Sequence, residues 1–227
     1  MTMQTATQNT RSVELLEKNR PQQQRAIRTY EAILSATGEL LCEVGLERVS
    51  TNNIAERAGV TVPALYRYFP NKYAVLNALG ARLMDAQNEV FARWQRRYIT
   101  GKPSQAMLDN IYYLLYDIYT VTHEFPGGLE IMHGMQAMAP LQEVRLESHW
   151  AVAETFGRIW STQFQLPFTH DLFRRARVAI GMGFMAVEMA LEDHRLDPDV
   201  VLRDGGDAIS AYMSTVSRES QTLREVN

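Results

Sequence analysis

Apolar residues recur along this chain at three- and four-residue intervals, and no stretch shows the polar–apolar alternation of a half-buried strand. The pattern predicts a first helix from about Gln24 to Val44, with Ile27, Tyr30, Ile33, Leu34, Leu40 and Leu41 inward and Gly45 ending it. Ser50, Thr51 and Asn52 offer caps for a short helix whose apolar positions are Ile54, Ala55 and Ala58. Gly59 follows, and a tight turn between helices needs a residue that takes positive φ without strain. A second short helix is expected with Thr61 as N-cap, Pro63 in its first turn, and Leu65 and Phe69 inward. Pro70 ends it, and Asn71 caps a long helix from Lys72 to about Tyr98 carrying Val75, Leu76, Leu79, Leu83 and Met84 on one side.

Breakers divide the remainder. Helices are expected at about Ser104–Thr122, Leu129–Met138, Leu141–Gln165, Asp171–Asp193 and Asp199–Ser217, parted by Pro126-Gly127-Gly128, Pro140, Pro167 and Pro198. The fold class is therefore all-α, with residues 1–24 a disordered polar arm, 25–72 a three-helix helix-turn-helix unit and 73–227 a larger helical unit.

Two short helices joined by a glycine turn describe a helix-turn-helix. Its second helix is the reader, with Thr61, Val62, Ala64, Tyr66, Arg67 and Tyr68 turned outward: hydroxyls, small apolar groups and one guanidinium, suited to a major groove. The order Ile54-Ala55, Ala58-Gly59-Val60, Leu65-Tyr66, Tyr68-Phe69 and Asn71-Lys72 resembles the DNA-binding signature of the TetR family of bacterial transcriptional regulators. The specific resemblance covers roughly Arg28 to Leu76; beyond it only the all-helical layout is similar. It implies phosphate contacts from Thr51, Thr61, Tyr66, Tyr68 and Lys72, and base-facing positions at Val62, Pro63, Ala64 and Arg67. Val62 and Ala64 depart from the hydrogen-bonding side chains common in relatives, which shifts base readout to Arg67 and thymine-methyl contacts.

Charge agrees with a divided molecule. Residues 1–100 carry 13 Lys and Arg against 9 Asp and Glu, whereas residues 101–227 carry 10 against 17. Cys42 is the only cysteine, so no intrachain disulfide forms, and its place in an amphipathic helix reads as a small core residue. The longest apolar run, Val178 to Val187, is too short to span a bilayer, and the polar N-terminus carries no signal peptide, so the expected location is cytoplasmic.

The middle of the chain gathers other chemistry. Glu130 and His133 have the i, i+3 spacing of di-iron bundle ligands, but no second Glu-x-x-His exists, so a helical-bundle metal enzyme is only the remote alternative. Neither a Ser-His-Asp arrangement, a Gly-rich phosphate loop nor a Cys-His zinc spacing occurs, and no cofactor, metal or catalytic residue is expected. Methionines and aromatics on neighbouring helices instead suggest an effector cavity lined by Met132, Met135, Trp150, Phe156 and Trp160, with His123, Glu130 or His133 as a polar anchor. Any one of these residues fits plain core packing equally well.

Small residues at Ala179, Gly183 and Ala186, with Ile209, Tyr212 and Met213 on the last helix, fit a two-helix contact. The resemblance implies that this contact is a homodimer face; intrachain packing is the alternative. DNA binding follows from the residues, while the resemblance implies the rest of the expected function: a homodimeric repressor on a palindromic operator in double-stranded DNA, released by a small effector, which the cavity lining makes apolar or aromatic. An activator or a nucleoid-associated DNA binder is the runner-up.

Overall fold

The computed structural model describes residues 17–18 and 21–225, so most of the arm expected at residues 1–24 lies outside the described residues. Ten helices run through the described residues, without strands: α1 Gln24–Arg48, α2 Thr51–Arg57, α3 Val62–Tyr66, α4 Lys72–Tyr98, α5 Ser104–Leu108, α6 Ile111–Glu124, α7 Gly128–Ala137, α8 Ala139–Phe164, α9 His170–Glu192 and α10 Pro198–Glu225. None of them is long and apolar enough to cross a membrane.

Side chains near in sequence set the ends of the first four helices. Ser50 accepts from the Asn53 amide while the Asn53 side chain accepts from the Ser50 amide, a reciprocal cap that starts α2. Thr61 and Asn71 cap α3 and α4 by accepting from Ala64 and Ala74. Gly45 at φ 72° interrupts α1 where the sequence ends it, and Gly59 at φ 65° makes the turn before α3. Lys18 is tied down, because its amide donates to the Tyr68 carbonyl at 2.7 Å.

Three expectations change. The helix expected from Ser104 to Thr122 is two, broken at Asp109-Asn110, because other segments satisfy the polar groups at the break. Trp94 donates its indole N–H to the Asn110 carbonyl at 2.7 Å, Asn110 donates to Ala106 at 2.7 Å, and Ser210 donates to Leu108 at 2.6 Å. Pro140 lies in the first turn of α8, where a missing N–H costs nothing. Cys42 lies on the outer face of α1 and is exposed rather than in the core.

The apolar interior falls into two clusters, and α4 belongs to both. One holds the inner faces of α1–α3, the first turns of α4 and part of α7, centred on fully buried Ile33, Leu34, Ile54, Leu65 and Phe69. The other joins the far half of α4 to α5, α6, α8, α9 and α10 around Trp94, Trp160, Leu202 and Met213. The α6–α7 turn and α7 press on α1: Gly38 lies against Pro126, Gly127 against Leu41 and Gly134 against Leu46, each so close that an added Cβ would stand at 2.8–3.2 Å.

Candidate nucleic-acid interface and effector cavity

The residues proposed to face DNA divide into an outer set and an inner one. Thr61, Pro63, Tyr66 and Arg67 are exposed, with Thr51 and Lys72 half-exposed beside them. The Tyr66 hydroxyl lies 3.2 Å from Thr51 Oγ1, which joins the reader to the first turn of α2. Lys72 Nζ donates to the Val49 carbonyl at 3.0 Å, leaving two ammonium protons for a phosphate. Val62 and Ala64 are half-buried, and Val62 packs on the core.

Tyr68 is the exception. It is 8% exposed, edge-on to Tyr30 at 6.2 Å, so it braces the unit instead of standing outward. Periodicity over five residues cannot reveal this, because α3 ends at Tyr66 and Tyr68 follows the turn beyond it. On the side of the unit formed by α1 and α2, Arg57 is held bidentately by Glu43 at 2.8 and 2.6 Å and touches Glu39 at 3.3 Å. These bonds raise the Arg57 pKa and lower that of Glu43.

A cavity of about 120 Å³ opens between α4, α6, α7, α8 and α9. That is near the size of apolar cavities, about 150 Å³, that take up benzene. Leu83, Phe91, Leu114 and Ile118 form much of its wall, with Met132, Met135 and Phe156 from the expected set. Trp150 does not join them: it is 57% exposed on the outside of α8, packed on Phe173 at 4.5 Å. Trp160 is fully buried one layer behind Phe156. His123 is exposed and stacked on Tyr119 at 5.7 Å, and Glu130 lies outside the lining.

His133 faces α9, with Nε2 3.1 Å from Glu192 and 3.8 Å from Glu188. These three residues form the one group of His, Cys, Asp or Glu among the described residues with potential ligand atoms within 4.8 Å of one another. Glu130 is not part of it.

The polar groups at the cavity are therefore others. Gln87 and Asn88 come from α4, Gln136 from α7, and Arg145, Ser148 and His149 from α8 at i, i+3 and i+4. Gln87 donates to Thr122 at 2.9 Å, a buried polar pair inside the bundle. His149 stacks on Phe184 at 4.2 Å and is held down to a pKa of about 4 by burial, with the Arg177 and Arg145 charges adding to it. The i, i+3, i+4 spacing of Arg145, Ser148 and His149 is a signal in the sequence that marks one helical face.

The sequence profile of the bacterial regulatory proteins of the tetR family matches residues 33–79, the stretch holding α2, the turn and α3. Over 54 residues the chain is 46% identical to the class C tetracycline repressor protein of Escherichia coli, covering 24% of this chain and 25% of that one. Over 167 residues it is 28% identical to the nucleoid occlusion factor SlmA of Pasteurella multocida, 74% of this chain and 76% of that one. A TetR-family regulator structure from Syntrophomonas wolfei superposes on 86% of this chain and 96% of its own with a TM-score of 0.64 at 14% identity.

Residues 33–79 thus carry the DNA-binding segment of the TetR family. The helix-turn-helix lies at the N-terminal end of the chain, with a helical unit behind it.

Behind the matched segment, the stripe expected to meet a partner is used internally. Ala179 and Ala186 are buried, and a Cβ on Gly183 would stand 3.2 Å from Leu115 and 3.7 Å from Ile209. Ile209 and Met213 are buried in the same layer, and Tyr212 is half-buried. The small residues admit α6 and α10 of the same chain; spacing reveals a close approach but not whose helix approaches. The opposite faces of α9 and α10 are open. Val178, Met185 and Met189 on α9, at i, i+7 and i+11, are exposed beside Leu196 and Val200, and a shallow groove runs between them along Asp204 and Ala208.

Proposed function

We propose that the protein is a homodimeric repressor of a palindromic operator, released when a small, largely apolar effector enters the cavity of the C-terminal unit. One observation carries this reading: α4 begins at Lys72 beside the reader and supplies Leu83, Gln87 and Phe91 to the cavity wall. A ligand there touches the same rigid rod that positions α3. Thr51, Thr61, Tyr66 and Lys72 take phosphates, while Pro63, Arg67 and the small faces of Val62 and Ala64 meet bases. Dimerisation uses the open Val178–Met185–Met189 side of α9 with Val200 and Ala208 of α10, a contiguous apolar patch of the kind that marks an interface. Two readers then stand on half-sites one helical turn, or a multiple of it, apart. The site of action is the cytoplasm.

The match to a nucleoid occlusion factor over three quarters of the chain supports a second reading, a nucleoid-associated DNA binder. Selection of bound duplexes from a random pool separates the two. A palindrome with regular half-site spacing is expected; binding without sequence preference overturns the operator reading. Val152→Trp, which narrows the cavity from α8, is expected to keep operator affinity and abolish release by any effector that frees the original protein. Release unchanged in that variant moves the effector site elsewhere.

A further inference from the structure

The cavity is apolar on most of its wall, yet one guanidinium lines it and a second stands behind the lining residue His149. Arg145 lines the cavity and donates Nε to the Met135 carbonyl at 3.2 Å, which leaves its two terminal amino groups for another acceptor. Arg177, on α9, stands behind His149 with a terminal nitrogen 3.3 Å from Nδ1. A guanidinium only donates, so Nδ1 accepts, and the neutral imidazole carries its proton on Nε2.

No carboxylate pairs with either arginine among the described residues. Arg177 has a lowered pKa, from burial first and from Arg145 second, with no acid compensating. Glu188, the acid beside this region on α9, is taken up by Gln136 at 2.9 and 3.0 Å and by His133. Ser148 adds a hydroxyl to the same helical face. The cluster thus offers donors and positive charge to a cavity, with no counter-ion among the described residues. The Arg145 charge opposes that of partly buried Arg177, and an anionic ligand would relieve this repulsion.

We infer that the effector is an apolar molecule bearing one anionic head, a carboxylate or a phosphate, seated against Arg145, Ser148 and His149 with its body in the Leu83–Phe91–Ile118–Phe156 wall. This rests on the effector reading above and adds the head-group chemistry. Arg145 contacts the head through its planar fork, which matches either oxyanion; Arg177 is a positioning residue that fixes the His149 tautomer so that Nε2–H faces a ligand as a donor. The cavity volume limits the body to about one ring or a short chain.

The test uses three probes with one body: phenylacetate, phenyl phosphate and 2-phenylethanol, titrated calorimetrically into the full-length protein. At least one anion is expected to bind about tenfold or more tighter than the alcohol, the scale of one charge-assisted hydrogen bond in a partly dry site. Whichever anion binds better identifies the head. Arg145→Gln is expected to bring that ratio to within about threefold while leaving 2-phenylethanol within about twofold of its original affinity. Arg177→Gln is expected to lower the ratio partially, and Arg177→Lys to restore the charge but not the full ratio. If Arg145→Gln fails to melt cooperatively, Arg177→Gln decides alone.

Equal binding of alcohol and both anions, or a ratio unchanged in both glutamine variants, overturns the head-group inference and leaves the cavity reading standing. If none of the three probes binds, both fall.

Discussion

Gly38 lies in the middle of α1 with Pro126 directly against it. A Cβ there would stand 2.8 Å from the Pro126 carbonyl oxygen and 3.0 Å from its Cβ. Gly38→Ala therefore sets two effects against each other. In a helix interior alanine is better than glycine by about 1 kcal/mol. Overpacking a close contact costs about 1–3 kcal/mol, and here the obstacle is backbone, which cannot rotate away. Overpacking wins, for a net loss of about 1 kcal/mol. At this chain length that lowers the melting temperature by roughly 2–4 °C. The substitution also wedges α1 from the α6–α7 turn, so the link between reader and helical unit should loosen, and effector-driven release should weaken more than operator affinity. Thermal melts followed by circular dichroism, then operator binding with and without effector, read both consequences. A melting temperature that rises by a few degrees, as propensity alone demands, would show that α1 and Pro126 are not in contact and would refute the coupling.

Three further outcomes follow from the geometry. His149 holds a pKa of about 4 against an ordinary 6.5, so the unfolded chain binds a proton that the fold refuses, and stability falls as pH drops from about 6.5 to 4. The ideal loss of about 3 kcal/mol shrinks to about 1–2 after solvent screening of the partly exposed ring; acid-pair losses such as that of Glu31 begin only below its ordinary 4.5, so a slope above pH 5 that persists in His149→Gln would sink this assignment. Met185→Asp should yield a helical monomer with weakened operator binding, whereas Gly183→Asp, aimed at Leu115 and Ile209, should lose cooperative melting instead; sedimentation of Met185→Asp as a dimer removes this face from the interface. Lys72→Ala should weaken binding to all sequences alike and reduce the salt slope by about 0.9, while Arg67→Ala relaxes discrimination at one or two base pairs by about 1–3 kcal/mol each; a changed preference in Lys72→Ala would reverse the two roles.

The helix ends of the reading head are legible because the groups that set them are local, whereas Tyr68 is not, because distant Tyr30 holds it. Ser50, Thr61 and Asn71 each cap within three residues, and Gly59 turns the chain at its own φ. The same local logic missed what distant residues decide. The break before α6 is held by Trp94, 16 residues before Asn110, and by Ser210, 102 residues after Leu108. The Ala179–Gly183–Ala186 stripe correctly announced a close helix contact, but Leu115 of the same chain fills it. Aromatic content suggested Trp150 for the cavity, yet a helix as long as α8 presents aromatics on several faces, and Trp150 falls on the outer one. Arg145, Ser148 and His149 were passed over because surface charge on a helix is the ordinary case; only the cavity behind them changes their meaning.

The cavity reaches the reader by two routes rather than the single lever of α4. Met135 forms part of the wall and also lies on Gly80 of α4, where an added Cβ would stand 3.2 Å from its sulfur. The same helix, α7, meets α1 through Gly134 and Leu46. On the proposed reading, a ligand that displaces α7 would shift α1 and α4 together and tilt the reading unit as a body. The energy required limits how this can work. Moving the population from nearly all competent to nearly all released takes about 5 kcal/mol of differential binding. Burying one phenyl-sized group of 150–250 Å² yields roughly 4–6 kcal/mol, and only the part not already gained in the competent state counts. An apolar body alone is thus barely sufficient. An ion pair between an anionic head and Arg145, formed only in the released arrangement, would supply the remainder.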